Sequence, residues 1–308
     1  MSSQVIISGS RGFIGTHVSR RLRGLGVSCK QIDRDGVRDD REPGYIQPRP
    51  LTVDDYSNFL AGSSALVWLA CASTPRTSEH NPLKEADENI RPFLTMLEAL
   101  HQHPQCHLVF VSTGGAMYGD IAGDGIARED WRIQPKSYYS AGKAALEHFA
   151  SAFATQTGGR VTIIRPSNVY GPGQPYRPGF GIIPAAFHAL LQQEKFPIWG
   201  DGGAVRDYLY IQDFVDLCMQ ILDKPPTDSP SLVHASSGIG IRLDALLDEI
   251  EGAAGRKILR DLTPDHAVDV SRVVLCNDES RKRYDWSPTT SLPEGLQRAW
   301  AWYSEHGA

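Results

Sequence analysis

The sequence predicts an α/β fold: a doubly wound, mostly parallel sheet followed by a smaller C-terminal α/β lobe. Three observations predict it. Short apolar strands alternate with longer helical patterns through the first half. A glycine-rich turn follows the first strand and opens the first helix. After Pro166 the alternation is lost, and Gly and Pro become dense from Gly171 to Pro184.

Gln4–Ser8 reads as a buried strand. Phe13–Leu25 carries Ile14, Val18, Leu22 and Leu25 near helical spacing. Val27–Asp33, Ala65–Cys71, Leu108–Ser112 and Val161–Arg165 read as four further strands. Glu88–His101 and Tyr139–Thr157 read as helices between them, and Asp33–Pro50 as a polar surface loop. Asp244–Glu251 and Leu292–Tyr303 read as later helices, the first with a solvated acidic face. The expected division is a dinucleotide-binding part over 1–166 and a substrate lobe over 167–308, interleaved with the sheet.

Length and composition agree with this size of fold. The chain has 308 residues, 41% hydrophobic and 22% charged, enough for a sizeable core. Its net charge is −5 with no long basic run, which leaves no electrostatic footprint for nucleic acid. No apolar run has the length of a membrane span, and Val5-Ile6-Ile7 is too short for a signal sequence. The five cysteines are widely spaced and odd in number, which fits reduced thiols in a cytoplasmic protein. His101, His103 and His107 cluster around Cys106. They read as a helix end, a turn and a strand start, with no metal expected.

The glycine turn runs Ser8-Gly9-Ser10-Arg11-Gly12-Phe13-Ile14-Gly15. Gly9 permits the tight turn, Gly12 lets backbone approach a pyrophosphate, and Gly15 lets helix and strand pack closely. The helix start adds free N–H groups and a positive dipole end. Phe13 and Ile14 lie in that first turn. Asp33 ends the second strand, where a carboxylate accepts hydrogen bonds from the adenosine ribose and disfavours a 2′-phosphate. The cofactor expected of this Rossmann-type turn is NAD. NADP is the alternative, because Arg34 follows directly and could pair with such a phosphate.

Tyr139 and Lys143 stand at i and i+4, so on a helix they share a face. A nearby ammonium lowers a phenol's pKa, which would let Tyr139 exchange protons. Tyr138 competes for the role, but its i+4 partner is Gly142.

These motifs together resemble the extended short-chain dehydrogenase/reductases, in the branch of NAD-dependent sugar-nucleotide epimerases and dehydratases. The resemblance covers nearly the whole chain. Gly9, Gly12 and Gly15 match the glycine motif, and Leu69-Ala70-Cys71-Ala72 the strand end that borders the cofactor. Asn89 matches the helix asparagine that supports the site. Val111 to Gly119 matches the strand with the catalytic hydroxyl. Arg165-Pro166-Ser167-Asn168-Val169-Tyr170-Gly171-Pro172-Gly173 is close to the family's signature, and Gly200-Asp201-Gly202 with Arg206-Asp207 and Asp213 matches its next segment. Trp286 matches a packing tryptophan. Trp68 stands where members often have His, and Arg49-Pro50-Leu51-Thr52 where an acidic residue commonly contacts adenine.

The resemblance implies that Tyr139 deprotonates a sugar hydroxyl as hydride passes to the nicotinamide. Lys143 would hold the nicotinamide ribose, and Thr113, with Ser112 as second choice, would hydrogen-bond the reacting oxygen. Pro166 would join the cofactor contacts. Asn168, Arg206 and Arg272 would contact the nucleotide, and Thr74 lies in a loop expected to shape the sugar pocket. Family dehydratases carry an Asp-Glu pair after the Thr. Gly114-Gly115-Ala116 follows here. The expectation is an epimerase of a nucleotide sugar, UDP-hexose at C4. The alternatives are an NAD(P)H-dependent keto-sugar reductase or a dehydratase, and, from another class, a non-catalytic dinucleotide-binding protein. A homodimer built on the Tyr139 helix and its neighbour is also implied.

Overall fold

The computed structural model describes residues 4–33, 36–39, 50–263 and 270–306. In chain order its first half holds β1 (Gln4–Ser8), α1 (Phe13–Gly24), β2 (Ser28–Asp33), β3 (Gly36–Asp39), α2 (Val53–Leu60), β4 (Ser63–Trp68), α3 (Pro82–Glu85), a π-helical turn (Ala86–Ile90), α4 (Arg91–Leu100), β5 (His107–Val111), α5 (Tyr138–Thr157) and β6 (Val161–Pro166). There follow β7 (Asn168–Tyr170), α6 (Ile182–Gln192), β8 (Lys195–Trp199), β9 (Val205–Tyr210), α7 (Ile211–Asp223), β10 (Ser231–Ala235), β11 (Gly240–Arg242), α8 (Leu243–Ala254), β12 (Leu259–Thr263), β13 (Arg272–Val273), α9 (Asp278–Tyr284) and α10 (Leu292–His306).

The chain divides into two compact units. The first comprises residues 1–113, 137–165 and 215–233, the second 114–136, 166–214 and 234–308. The first unit is organised by a seven-stranded sheet in the order β10-β6-β5-β4-β1-β2-β3. β1 pairs in parallel with β2 and β4, β4 with β5, and β5 with β6. The strand order reverses direction at β1/β4, the crevice where parallel α/β sheets bind ligands.

Every residue of β1, β5 and β6 is buried, which is why these strands read as unbroken apolar runs rather than alternating ones. Alternate residues Ile6, Leu66, Trp68, Leu108, Phe110, Val161 and Ile163 share one cluster with Phe93, Met96, Leu100 and Phe153 of α4 and α5. Within it Phe93 meets Trp68 edge-on at 5.4 Å and Phe110 at 5.0 Å. α1 packs on β1 and β2 with Val18 and Leu22 buried.

Helix ends follow local chemistry. Ser137 caps α5 through a reciprocal pair with Ser140, and Gly158, at φ 67°, closes the helix in the left-handed region. Thr52 and Asp55 form the same device at α2. The π-turn precedes Pro92, which has no N–H for the Glu88 carbonyl and crowds it, so the turn widens.

Several sequence expectations change. The polar stretch 33–50 is not all loop, because β3 pairs antiparallel with β2. The helix expected from Glu88 starts at Pro82, six residues earlier than the periodicity indicated. The strand expected to reach Cys71 ends at Trp68, leaving Leu69-Ala70-Cys71 as irregular backbone. α8 is not wholly solvated on its acidic side: Glu251 is buried and holds Lys257, Arg260 and the Ile258 N–H. Trp286 packs, its indole N–H donating to the Asp213 carbonyl at 3.0 Å.

In the second unit β9 pairs with β7, β11 and β13, and β8 pairs in parallel with β12. The buried Asp207 carboxylate accepts from Ser237 and from the Gly238 N–H, pinning the turn that leads into β11. No helix among the described residues is long and apolar enough to cross a membrane.

Candidate active site

The glycine turn sits at the β1/β4 crevice. Gly9 takes φ 82°, and a Cβ there would lie 2.8 Å from the Ala70 nitrogen. A Cβ at Gly15 would lie 2.2 Å from the Gly9 carbonyl oxygen, so α1 reaches the turn only because residue 15 has no side chain. At Gly12 a Cβ would meet only the Gly9 oxygen, at 3.3 Å. Gly12 is also the N-cap of α1. That end carries no side-chain cap and no acidic residue in its first turn. Asp33 accepts from Ser10 Oγ at 2.6 Å and from the Arg11 N–H at 3.1 Å, tying the end of β2 to the turn. Its carboxylate has lone pairs beyond these two bonds. Phe13 and Ile14, in the first turn of α1, are half-buried. Uncapped helix N–H groups, a turn whose glycines expose backbone and a carboxylate at the end of β2 fit a dinucleotide. Arg34 and Arg49 lie outside the described residues.

Tyr139 and Thr113 meet: the Thr113 hydroxyl faces the phenol and favours its charged form. Thr113 is buried just beyond the end of β5. Tyr138 is 48% exposed and turns away from this pairing. Lys143 is buried, donates from Nζ to the Val111 carbonyl at 2.9 Å and lies over the Phe110 ring at 5.1 Å.

Burial pushes the Tyr139 phenol well above the usual tyrosine range. The Cys71 thiol adds to the rise, the Thr113 hydroxyl works against it, and the Glu85 carboxylate adds again. The expectation that Lys143 depresses the phenol is therefore reversed in the polypeptide itself. The ammonium sits against Val111 and Phe110, and desolvation governs.

Ser112 points elsewhere. Its hydroxyl donates to Glu147 Oε1 at 2.5 Å, and Glu147 also takes Arg165 through Nε at 3.0 Å and Nη2 at 2.6 Å. The guanidinium and carboxylate are 6% and 7% exposed. Sequence reasoning missed Glu147. The signal was present: Tyr139, Lys143 and Glu147 are spaced i, i+4, i+8 along one helical face.

A second missed carboxylate is Glu85, which is buried and accepts Ser73 Oγ at 2.5 Å. Ser73 Oγ accepts from Asn89 Nδ2 at 2.9 Å, and Asn89 Oδ1 accepts from the Ala72 N–H at 2.7 Å. Asn89 thus fastens the irregular segment after β4. Cys71 in that segment is exposed, its thiol 3.4 Å from the Ser73 carbonyl. Thr74 closes a small turn with Thr77. The Tyr139 N–H donates to Ser78 Oγ at 3.1 Å, joining this loop to the start of α5.

In the second unit Pro166 is buried and its carbonyl accepts from the Gly114 N–H at 2.8 Å. Asn168 is exposed and donates to the Asp207 carbonyl at 2.9 Å. Arg206 donates to its neighbour's carbonyl at 3.0 Å. Arg272 buries its Nε with no hydrogen-bond partner among the described residues. The histidine cluster disperses. His101 packs edge-on against Phe153, His103 bonds Ser57, and His107 bonds Thr162.

Residues 5–233 match the sequence model of the NAD dependent epimerase/dehydratase family. The chain is 26% identical to a probable UDP-glucuronate 4-epimerase of Rhizobium meliloti, with 98% of this chain and 97% of that protein covered. Its fold is similar to that of a UDP-glucose 4-epimerase of Thermotoga maritima solved with UDP-glucose, at a TM-score of 0.87, 25% identity and coverage of 98% and 99%. It is similar also to a Thermus thermophilus UDP-glucose 4-epimerase solved in complex with NAD, at a TM-score of 0.86, 25% identity and coverage of 98% and 99%. With the glycine turn, the crevice and the Tyr139–Thr113 pairing in place, the chain belongs to the NAD dependent epimerase/dehydratase family.

Proposed function

We propose that the chain is an NAD-dependent epimerase of a nucleotide sugar, inverting C4 of a UDP-hexose through a keto intermediate. The observation that carries the reading is the pairing of Thr113 with the buried Tyr139 phenol, with Gly114-Gly115-Ala116 following Thr113. Water loss needs an added acid and base. None follows Thr113 in this segment, whereas epimerisation needs one proton-transfer group used twice.

NAD, when bound, supplies the hydride acceptor. Gly9, Gly12 and the α1 N-terminus hold its pyrophosphate, and Asp33 holds the adenosine ribose. Lys143 holds the nicotinamide ribose, and Leu69-Ala70-Cys71 and Pro166 border it. Tyr139 takes the proton of the sugar hydroxyl and Thr113 steadies the reacting oxygen. After the keto-sugar turns over, Tyr139 returns the proton. Ser112 braces Glu147 and does not touch the reacting oxygen. Asn168, Arg206 and Arg272 contact the nucleotide diphosphate, and Thr74 belongs to the loop that shapes the sugar pocket. The protein works in the cytoplasm as a homodimer through α5, where Phe149 is 44% exposed.

The test is to denature the purified protein and identify the released nucleotides, then to incubate it with UDP-hexoses without added cofactor. Bound NAD and interconverted epimers are expected. Stoichiometric consumption of NADH or NADPH would instead select a keto-sugar reductase.

A further inference from the structure

Three consecutive residues of the glycine turn donate to the last two residues of β2. The Gly9 N–H donates to the Ile32 carbonyl at 2.8 Å, Ser10 Oγ to Asp33 Oδ2 at 2.6 Å, and the Arg11 N–H to Asp33 Oδ1 at 3.1 Å. The two N–H donors are backbone and do not depend on the side chains at 9 and 11. The Ser10 hydroxyl does depend on residue type. Ser10 is 4% exposed, and a buried hydroxyl needs a partner. Its backbone has little room to move. A Cβ at Gly15 would lie 2.7 Å from Ser10 Cα, and the Ser10 carbonyl accepts from the Thr16 hydroxyl at 3.4 Å. From that fixed backbone the hydroxyl reaches Asp33.

Each oxygen of the Asp33 carboxylate thus receives one donor from the turn. A carboxylate held through one oxygen can pivot about that bond. One held through both oxygens keeps a single orientation. We propose that Ser10 is a positioning residue that sets cofactor specificity: its hydroxyl locks Asp33 in the orientation that accepts NAD and turns NADP away. The proposal rests on the reading that Asp33 holds the adenosine ribose. NAD and NADP differ in the group at the 2′ position of that ribose. A 2′-hydroxyl donates to a carboxylate, whereas a 2′-phosphate is repelled by it. A carboxylate free to pivot yields to the phosphate and gives up part of the discrimination. Ser10 acts through Asp33, so its effect exists only while Asp33 is present.

The experiment reads bound nucleotide, and no turnover enters it. Purified wild type, S10A, S10G, D33A and the S10A/D33A double variant are held in mixtures of NAD and NADP until the bound ratio stops changing. Unbound nucleotide is removed, the protein is denatured, and the released NADP and NAD are quantified by chromatography. S10A and S10G both lack the hydroxyl and should raise the bound ratio of NADP to NAD about tenfold over wild type, the worth of one hydrogen bond to a charged group. With Asp33 already replaced, S10A should change the ratio by no more than about twofold. A merely structural role in the turn would weaken both cofactors together and leave the ratio unmoved. D33A separates this inference from the reading beneath it. A raised ratio in D33A with an unmoved ratio in S10A overturns the role of Ser10 alone. An unmoved ratio in D33A refutes the placing of Asp33 at the ribose, and with it the route proposed for Ser10. An equal effect of S10A with and without Asp33 also overturns the proposal. If S10A retains no nucleotide, S10G decides on the same readout.

Discussion

Replacing Glu147 with leucine removes the carboxylate that the buried Arg165 guanidinium bonds through Nε and Nη2, and the oxygen that accepts from the Ser112 hydroxyl. Removing one partner of a buried ion pair costs about 3–5 kcal/mol, and a lost buried hydrogen bond about 1 kcal/mol more. The single change should therefore cost about 4–6 kcal/mol, a large share of the roughly 5–15 kcal/mol that holds a domain folded. Replacing both, as Glu147→Leu with Arg165→Met, removes both charges and leaves only the serine deficit, so the double variant should recover most of the loss. Urea unfolding of wild type, both singles and the double closes the cycle. The expected coupling is about 3 kcal/mol, read as midpoint shifts at constant slope. A single variant costing under about 1 kcal/mol, or a double equal to the sum of the singles, would refute the argument that burial makes this pair interdependent.

Further outcomes follow from the same geometry. Gly15→Ala drives a Cβ into the Gly9 carbonyl oxygen, so the purified variant should carry no NAD when its released nucleotides are chromatographed. Thr113→Ala should lower kcat about 10²-fold, while Ser112→Ala should shift the urea midpoint and leave kcat within a few-fold, since Ser112 bonds Glu147 and Thr113 faces the Tyr139 phenol. His107 is buried, and burial, with Arg160 adding to it, lowers its pKa from 6.5 to about 4. The unfolded chain then binds more protons between those values, so this stability is full above pH 6.5 and is lost as pH falls toward 4. The swing is about 3 kcal/mol. Melting temperatures across that window should fall more steeply in wild type than in His107→Gln.

Much of the fold can be read from the sequence because local signals and tertiary demands coincide. β1 is a short apolar run bounded by glycine, and it is buried between two strands. Ser137 announces α5, and Gly158 closes it. Other features become visible only through contact. Glu85 and Gly142 are far apart in the sequence, and neither looks unusual until α3 meets α5. Glu147 reads as a surface charge until Arg165 comes beside it from β6. The start at Pro82 escapes a periodicity search because a four-residue helix and a π-turn break the repeat before α4. The polarity of 33–50 hid β3, a four-residue strand after β2. The same applies to Tyr139. Its i+4 lysine suggested a lowered pKa, whereas burial, a thiol and a carboxylate together raise it.

The most direct test of the central claim is epimer interconversion by the purified protein on a UDP-hexose with no cofactor added, run beside Tyr139→Phe. Wild type should convert the sugar toward an equilibrium of two C4 epimers without net NADH formation. The variant should retain bound NAD and lose about 10²–10⁴-fold in kcat. Full activity in Tyr139→Phe, or no epimer from any UDP-hexose with NAD-loaded wild type, would contradict it.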